Sequence, residues 1–73
     1  MTLHFNSIIE KEGGYFIARC LELGVVSQGK TIEEAQENLK EAVDLYMEDV
    51  PVEQKEELKT RHPLVTSFDL DYV

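Results

Sequence analysis

The chain is 73 residues long, the size of one small domain, and carries 15 Asp and Glu against 7 Lys and Arg for a net charge of −8. That field has the wrong sign for direct nucleic-acid binding, which needs a basic stripe to displace counterions from phosphate, and it suits a basic protein or peptide instead. The 42% hydrophobic content argues against disorder, the short apolar runs against a membrane span or signal peptide, and the lone Cys20 against an intrachain disulfide, so a cytoplasmic globular protein is expected.

Residues 3 to 11 alternate, with Leu3, Phe5 and Ile9 on one face of a strand and His4, Asn6 and Glu10 on the other. Gly13-Gly14 then supplies a tight turn into a second strand, Tyr15 to Cys20, in which Phe16, Ala18 and Cys20 share a face. After a bend at Glu22-Leu23-Gly24, the β-branched pair Val25-Val26 opens a third strand that ends near Gln28-Gly29. Thr31-Ile32-Glu33-Glu34 is a capping box: the Thr31 hydroxyl accepts from the Glu34 amide, and the Glu34 carboxylate reaches back to the Thr31 amide. From there Ile32, Ala35, Leu39, Ala42, Val43 and Tyr46 form an apolar helical stripe that ends before Pro51. Pro51 opens a second, short helix through about Lys59. Residues 66 to 73 alternate again, with Phe68, Leu70 and Tyr72 opposite Ser67, Asp69 and Asp71, which predicts a final strand returning to the sheet. The expected fold class is α+β, an antiparallel three-stranded meander, a long helix and a closing strand (βββαβ) in two layers. No repeat or linker divides it, so residues 1 to 73 read as a single domain. A domain this small buries little of its surface, so a homo-oligomer, dimer or tetramer, is expected.

The charge is unevenly placed. Between Glu33 and Glu57 there are ten acids against Lys40 and Lys55, so this stretch holds the whole net charge, while the other five acids are balanced by five cations. Glu33, Glu37 and Glu41 are four apart and line one helix face, where each like-charge pair costs roughly 0.2 to 0.5 kcal/mol in an isolated helix. Such a face either keeps the chain soluble or docks a cationic partner.

Chemistry-bearing residues are sparse. Cys20 shares a face with Phe16 and Ala18 and reads as a small core residue rather than a thiolate. His4 points outward on the first strand and His62 lies in a loop before Pro63, neither at a ligand or triad spacing. Asp69 and Asp71, with Glu10 or Glu12 across a sheet, have the donor types for Mg²⁺, and Glu10, Asp69 and Asp71 define a rival reading as a metal-dependent hydrolase. An exposed edge-strand face accounts for them better, because nothing places a third ligand. Gly13-Gly14 lacks the rest of a phosphate loop. No catalytic residue, metal or cofactor is expected from the residues alone.

The stretch from Cys20 to Ala35, with SQGKT leading into EEA, and its continuation through Asn38-Leu39-Lys40-Glu41-Ala42, resembles the N-terminal domain of the HicB family of antitoxins. With the upstream strand Tyr15-Phe16-Ile17-Ala18 and the closing strand around Phe68, the resemblance covers nearly the whole chain. It implies a partial ribonuclease-H-like fold without the complete active site, and a non-enzymatic inhibitor that covers the catalytic surface of HicA, a small basic mRNA-cleaving toxin with a double-stranded-RNA-binding-like fold. Many relatives place a proline before the glycine matching Gly24, where this chain has Leu23. Full-length relatives commonly add a C-terminal DNA-binding module, for which no counterpart is expected here. On this reading the partner surface comprises Glu33, Glu37 and Glu41 with Glu22 and Gln28, while Gly29 and Thr31 hold the helix start. An orphan structural oligomer without a toxin partner is the alternative.

Overall fold

The N-terminal alternation becomes a hairpin in the computed structural model, which describes residues 2–61 and 63–72. Strand β1 (Ser7–Glu12) pairs antiparallel with β2 (Tyr15–Cys20), in register from Ser7 opposite Cys20 to Glu12 opposite Tyr15. The loop is the two glycines, and Gly13 takes φ +59°, a left-handed conformation that glycine adopts without a Cβ penalty. Strand β3 (Val26–Gly29) pairs antiparallel with the other edge of β2, so the sheet order β1-β2-β3 follows the chain. Between β2 and β3, the Gly24 amide donates to the Cys20 carbonyl at 2.9 Å, and Gly24 has φ +74°.

Helix α1 (Ile32–Glu48) covers one face of this sheet. Its buried side chains, Ala35, Leu39, Val43 and Met47, recur every fourth residue and join Ala18 and Cys20 of β2 in the core. Leu3, Phe5, Ile9 and Phe16 pack around that cluster, so the predicted inward faces of the first two strands are the observed ones. Gly29 lets the helix approach β3 closely: a Cβ there would lie 2.5 Å from the Ala35 amide nitrogen and 2.8 Å from the Glu34 carbonyl carbon. Helix α2 (Val52–Thr60) follows with Pro51 at its N-cap, and only Leu58 of its apolar residues packs on the core.

Three expectations are corrected. The apolar stripe runs through Met47, whereas Ile32 and Tyr46 at its edges are half exposed, because a helix resting on a flat sheet buries a narrow line and leaves its flanks to solvent. The Thr31 hydroxyl accepts from the Glu34 amide at 3.0 Å as expected, but the Glu34 carboxylate accepts from the Lys30 amide at 3.2 Å, one residue earlier than the Thr31 amide. Finally, residues 66–72 form no strand. Phe68, Leu70 and Tyr72 are 81%, 69% and 92% exposed, and the chain leaves the body after α2 rather than returning to the sheet. Alternation supplies a strand with a face, but a strand exists only with a partner to complete its hydrogen bonds, and the tail meets none within its own chain. Val73, the end of that expected strand, and His62 lie outside the described residues. With the tail extended, the radius of gyration is 14.6 Å, against about 11 Å for a compact chain of this length.

Candidate functional site

The α1 surface opposite the core stripe carries Glu33, Glu37 and Glu41, all exposed. A two-residue offset from Ala35, Leu39 and Val43 turns these carboxylates about half a helical revolution away from the sheet. Glu37 pairs with Lys40 at 3.4 Å, and on α2 Glu56 pairs with Lys59 at 3.6 Å. Both pairs are solvent-exposed and contribute at most about 1 kcal/mol each. Among the described residues Glu33, Glu41 and Asp44 have no cation within salt-bridge distance, so the α1 face presents largely uncompensated negative charge. Glu33 and Glu34 also sit in the first helical turn, where the positive end of the helix dipole stabilises them.

Glu22 is elsewhere and already engaged. Its Oε1 accepts from the Asn6 main-chain amide and its Oε2 from the Asn6 side-chain amide, both at 2.8 Å, and the Cys20 thiol lies 3.7 Å from Oε1. Partial burial alone would push this carboxyl up, but the two Asn6 bonds outweigh it and hold Glu22 below the ordinary glutamate range. Burial pushes the Cys20 thiol above its ordinary range, and the neighbouring Glu22 charge adds to that. A buried, protonated Cys20 is a core residue, in line with its place in the strand pattern.

Gln28 lies opposite Ile17 in the β2–β3 register, one residue out of step with buried Ala18. Its side chain therefore points to the sheet face away from α1, and its carbonyl accepts from the Asn38 side chain at 2.8 Å. The five residues expected to form one partner surface are thus divided: Glu33, Glu37 and Glu41 share a helix face, Gln28 lies on the opposite side of the molecule, and Glu22 braces the strand entry. Neither Asn6 nor its bond to Glu22 had any signal in the sequence, because the two meet across sixteen residues through the β-hairpin.

A second feature is a groove of about 640 Å³ between the chain leading into β1 and helix α1. Leu3, Phe5, Leu39, Val43 and Met47 supply its apolar lining, and Lys40, Asp44 and Lys55 stand along it. Among the described residues no three His, Cys, Asp or Glu side chains gather as a metal-binding group, so Glu10, Asp69 and Asp71 do not converge. No helix among those residues is long and apolar enough to cross a membrane.

No protein-family model matches the chain, and no solved structure matches it. A UPF0150 protein of Helicobacter pylori is 37% identical over 68 residues, covering 92% of this chain and 94% of the relative. The chain belongs to the UPF0150 family. A match of that length leaves no strand or helix of this UPF0150 member wholly outside it, so the relationship takes in the meander, α1 and α2 together. The UPF0150 name carries no reaction and no ligand.

Proposed function

We propose that this UPF0150 protein is a cytoplasmic, non-enzymatic, HicB-like binding module that self-associates and inhibits a small basic protein, a HicA-type mRNA-cleaving toxin, by covering its catalytic surface. The observation that carries the reading is the exposed carboxylate row Glu33, Glu37 and Glu41 on α1, within a helical region that holds the entire net charge of the chain. A ribonuclease must present cations where substrate phosphates lie, and a row of carboxylates on a rigid helix occupies the same positions with the same sign of charge. Complementary charge of this kind raises the association rate and excludes acidic partners. The resemblance of residues 20 to 42 to HicB antitoxins and the UPF0150 kinship support it from the side of sequence.

The test is affinity purification of the tagged chain from its own cells at low salt, followed by reconstitution with the recovered protein. Recovery of a small basic ribonuclease whose mRNA cleavage stops on addition of the chain is the expected result. Combined Glu33→Gln, Glu37→Gln and Glu41→Gln should weaken that complex and flatten its salt dependence. Unchanged affinity in the triple variant would remove the α1 face from the interface, and recovery of the chain alone would leave an orphan oligomer.

A further inference from the structure

We propose that residues 66–72 of one copy lie as an extended arm in the groove between β1 and α1 of a second copy, and that the exchange is reciprocal. The proposal rests on the self-association part of the reading above and stands whether or not a basic partner exists.

An unpartnered apolar face and an open groove of the same chain fit one another. The arm places Phe68, Leu70 and Tyr72 on one side at a two-residue spacing, each exposed by two thirds or more, which is a strand-like apolar face with nothing against it. The groove is about 640 Å³, floored by the buried Leu39, Val43 and Met47 of α1 and flanked by the partly buried Leu3 and Phe5, beside the unpaired edge of β1. Seven extended residues span about 23 Å, close to the length of α1. The charges agree as well. In a chain of net −8, Lys55 and Lys40, the latter also meeting Glu37 at 3.4 Å, stand along the groove with one acid, Asp44, while the arm brings Asp69 and Asp71.

The second copy is the occupant because the arm does not fold onto its own body: the chain extends 48 Å along its longest axis. A two-fold exchange fills both grooves with the same contacts, the self-complementary arrangement that closes without leaving a free end. Aromatic side chains bury about 150 to 250 Å² each. Two arms, each with two aromatics and a leucine, together with the groove walls they cover, come to the lower part of the roughly 1,200–2,000 Å² range of stable protein–protein interfaces.

Light scattering coupled to size exclusion on the full chain should give twice the chain mass. Phe68→Asp with Leu70→Asp should return the monomer mass with an unchanged helical circular dichroism signal. To identify whose groove is filled, Asp44→Cys and Asp71→Cys variants are mixed and treated with a short bis-maleimide, Cys20 being shielded by burial. Cross-links should join the two variants into a covalent heterodimer. A dimer that survives loss of Phe68 and Leu70 would overturn the arm while leaving self-association intact. A monomeric parent chain would overturn both, and a cross-link confined within single chains of the doubly substituted D44C/D71C variant would return the arm to its own body.

Discussion

The Glu22 carboxylate holds Asn6 by two bonds at once, taking the main-chain amide on one oxygen and the side-chain amide on the other, each at 2.8 Å. It thereby ties the segment entering β1 to the turn leaving β2, at the point where the hairpin ladder ends and the Leu21 amide donates its own bond to the Asn6 carbonyl at 2.9 Å. A hydrogen bond to a charged acceptor contributes about 1.5 to 3 kcal/mol when shielded, and partial exposure brings this pair toward the lower end.

Replacement of Glu22 by Ala should therefore destabilise the fold by about 1 to 3 kcal/mol, and Glu22→Gln by less, since one acceptor oxygen survives. The pH dependence has a definite sign. The folded-state value of Glu22 lies below its unfolded value, so its contribution is present above the ordinary glutamate range and disappears as pH falls through the depressed value. Urea denaturation midpoints measured from pH 7 downward should converge for the wild type and Glu22→Gln in acid; parallel curves would show that the Asn6 bonds do not depend on the Glu22 charge.

Gly29→Ala should cost about 1 to 3 kcal/mol, because the new methyl would meet main-chain atoms of Glu34 and Ala35 that cannot swing aside. Gly14→Ala is the matched control. A Cβ at Gly14 has nothing within 4 Å and the residue needs no positive φ, so its thermal midpoint should stay close to that of the wild type. Equal losses at the two sites would mean that α1 does not sit against β3 as closely as described.

Thr31→Ala removes the hydroxyl that accepts from the Glu34 amide and should cost about 1 kcal/mol. Glu34→Gln keeps an oxygen for the Lys30 amide but gives up the favourable charge at the helix N-terminus, so its loss should be a few tenths of a kcal/mol and shrink as salt is added. Chemical denaturation at two ionic strengths separates the two contributions.

Cys20 should react with a thiol reagent only at the rate at which the molecule opens, since the side chain is 1% exposed and its thiol is held protonated by burial. The raised folded-state value makes its contribution to stability complete below the unfolded thiol range and lost as pH climbs through the folded value. Fast labelling of native protein at neutral pH would contradict the buried assignment.

Much of the body was legible because local patterns and final contacts coincide there. The strand faces of Phe16, Ala18 and Cys20, the paired-glycine turn and the Thr31 cap all depend on neighbours within a few residues, and the structure keeps them. The illegible parts depend on distance. Asn6 and Glu22 are ordinary polar residues until the hairpin brings them together, and Lys40 of α1 and Lys55 of α2 come to line one groove only in the folded chain. Residues 66–72 show the opposite case: the alternation gives the segment an apolar side, but the strand it suggests does not form, because nothing local supplies the hydrogen-bonding neighbour a strand needs. The candidate acidic row was legible as a row, since helical spacing alone aligns Glu33, Glu37 and Glu41; that Gln28 would face the other way required the register of β3 against β2.

The sheet order that follows the chain order has a consequence for folding. Both strand pairings join segments adjacent in sequence and α1 docks most extensively on β3, the strand just before it, so little loop entropy is lost before these contacts form, and chains rich in such local contacts fold quickly. The body from β1 to α1 closes on its own core of Ala18, Cys20, Ala35, Leu39, Val43 and Met47, to which residues 66–72 contribute no side chain. The apolar arm is therefore not drawn into that core during collapse, and its Phe68, Leu70 and Tyr72 side stays in solvent unless another surface covers it.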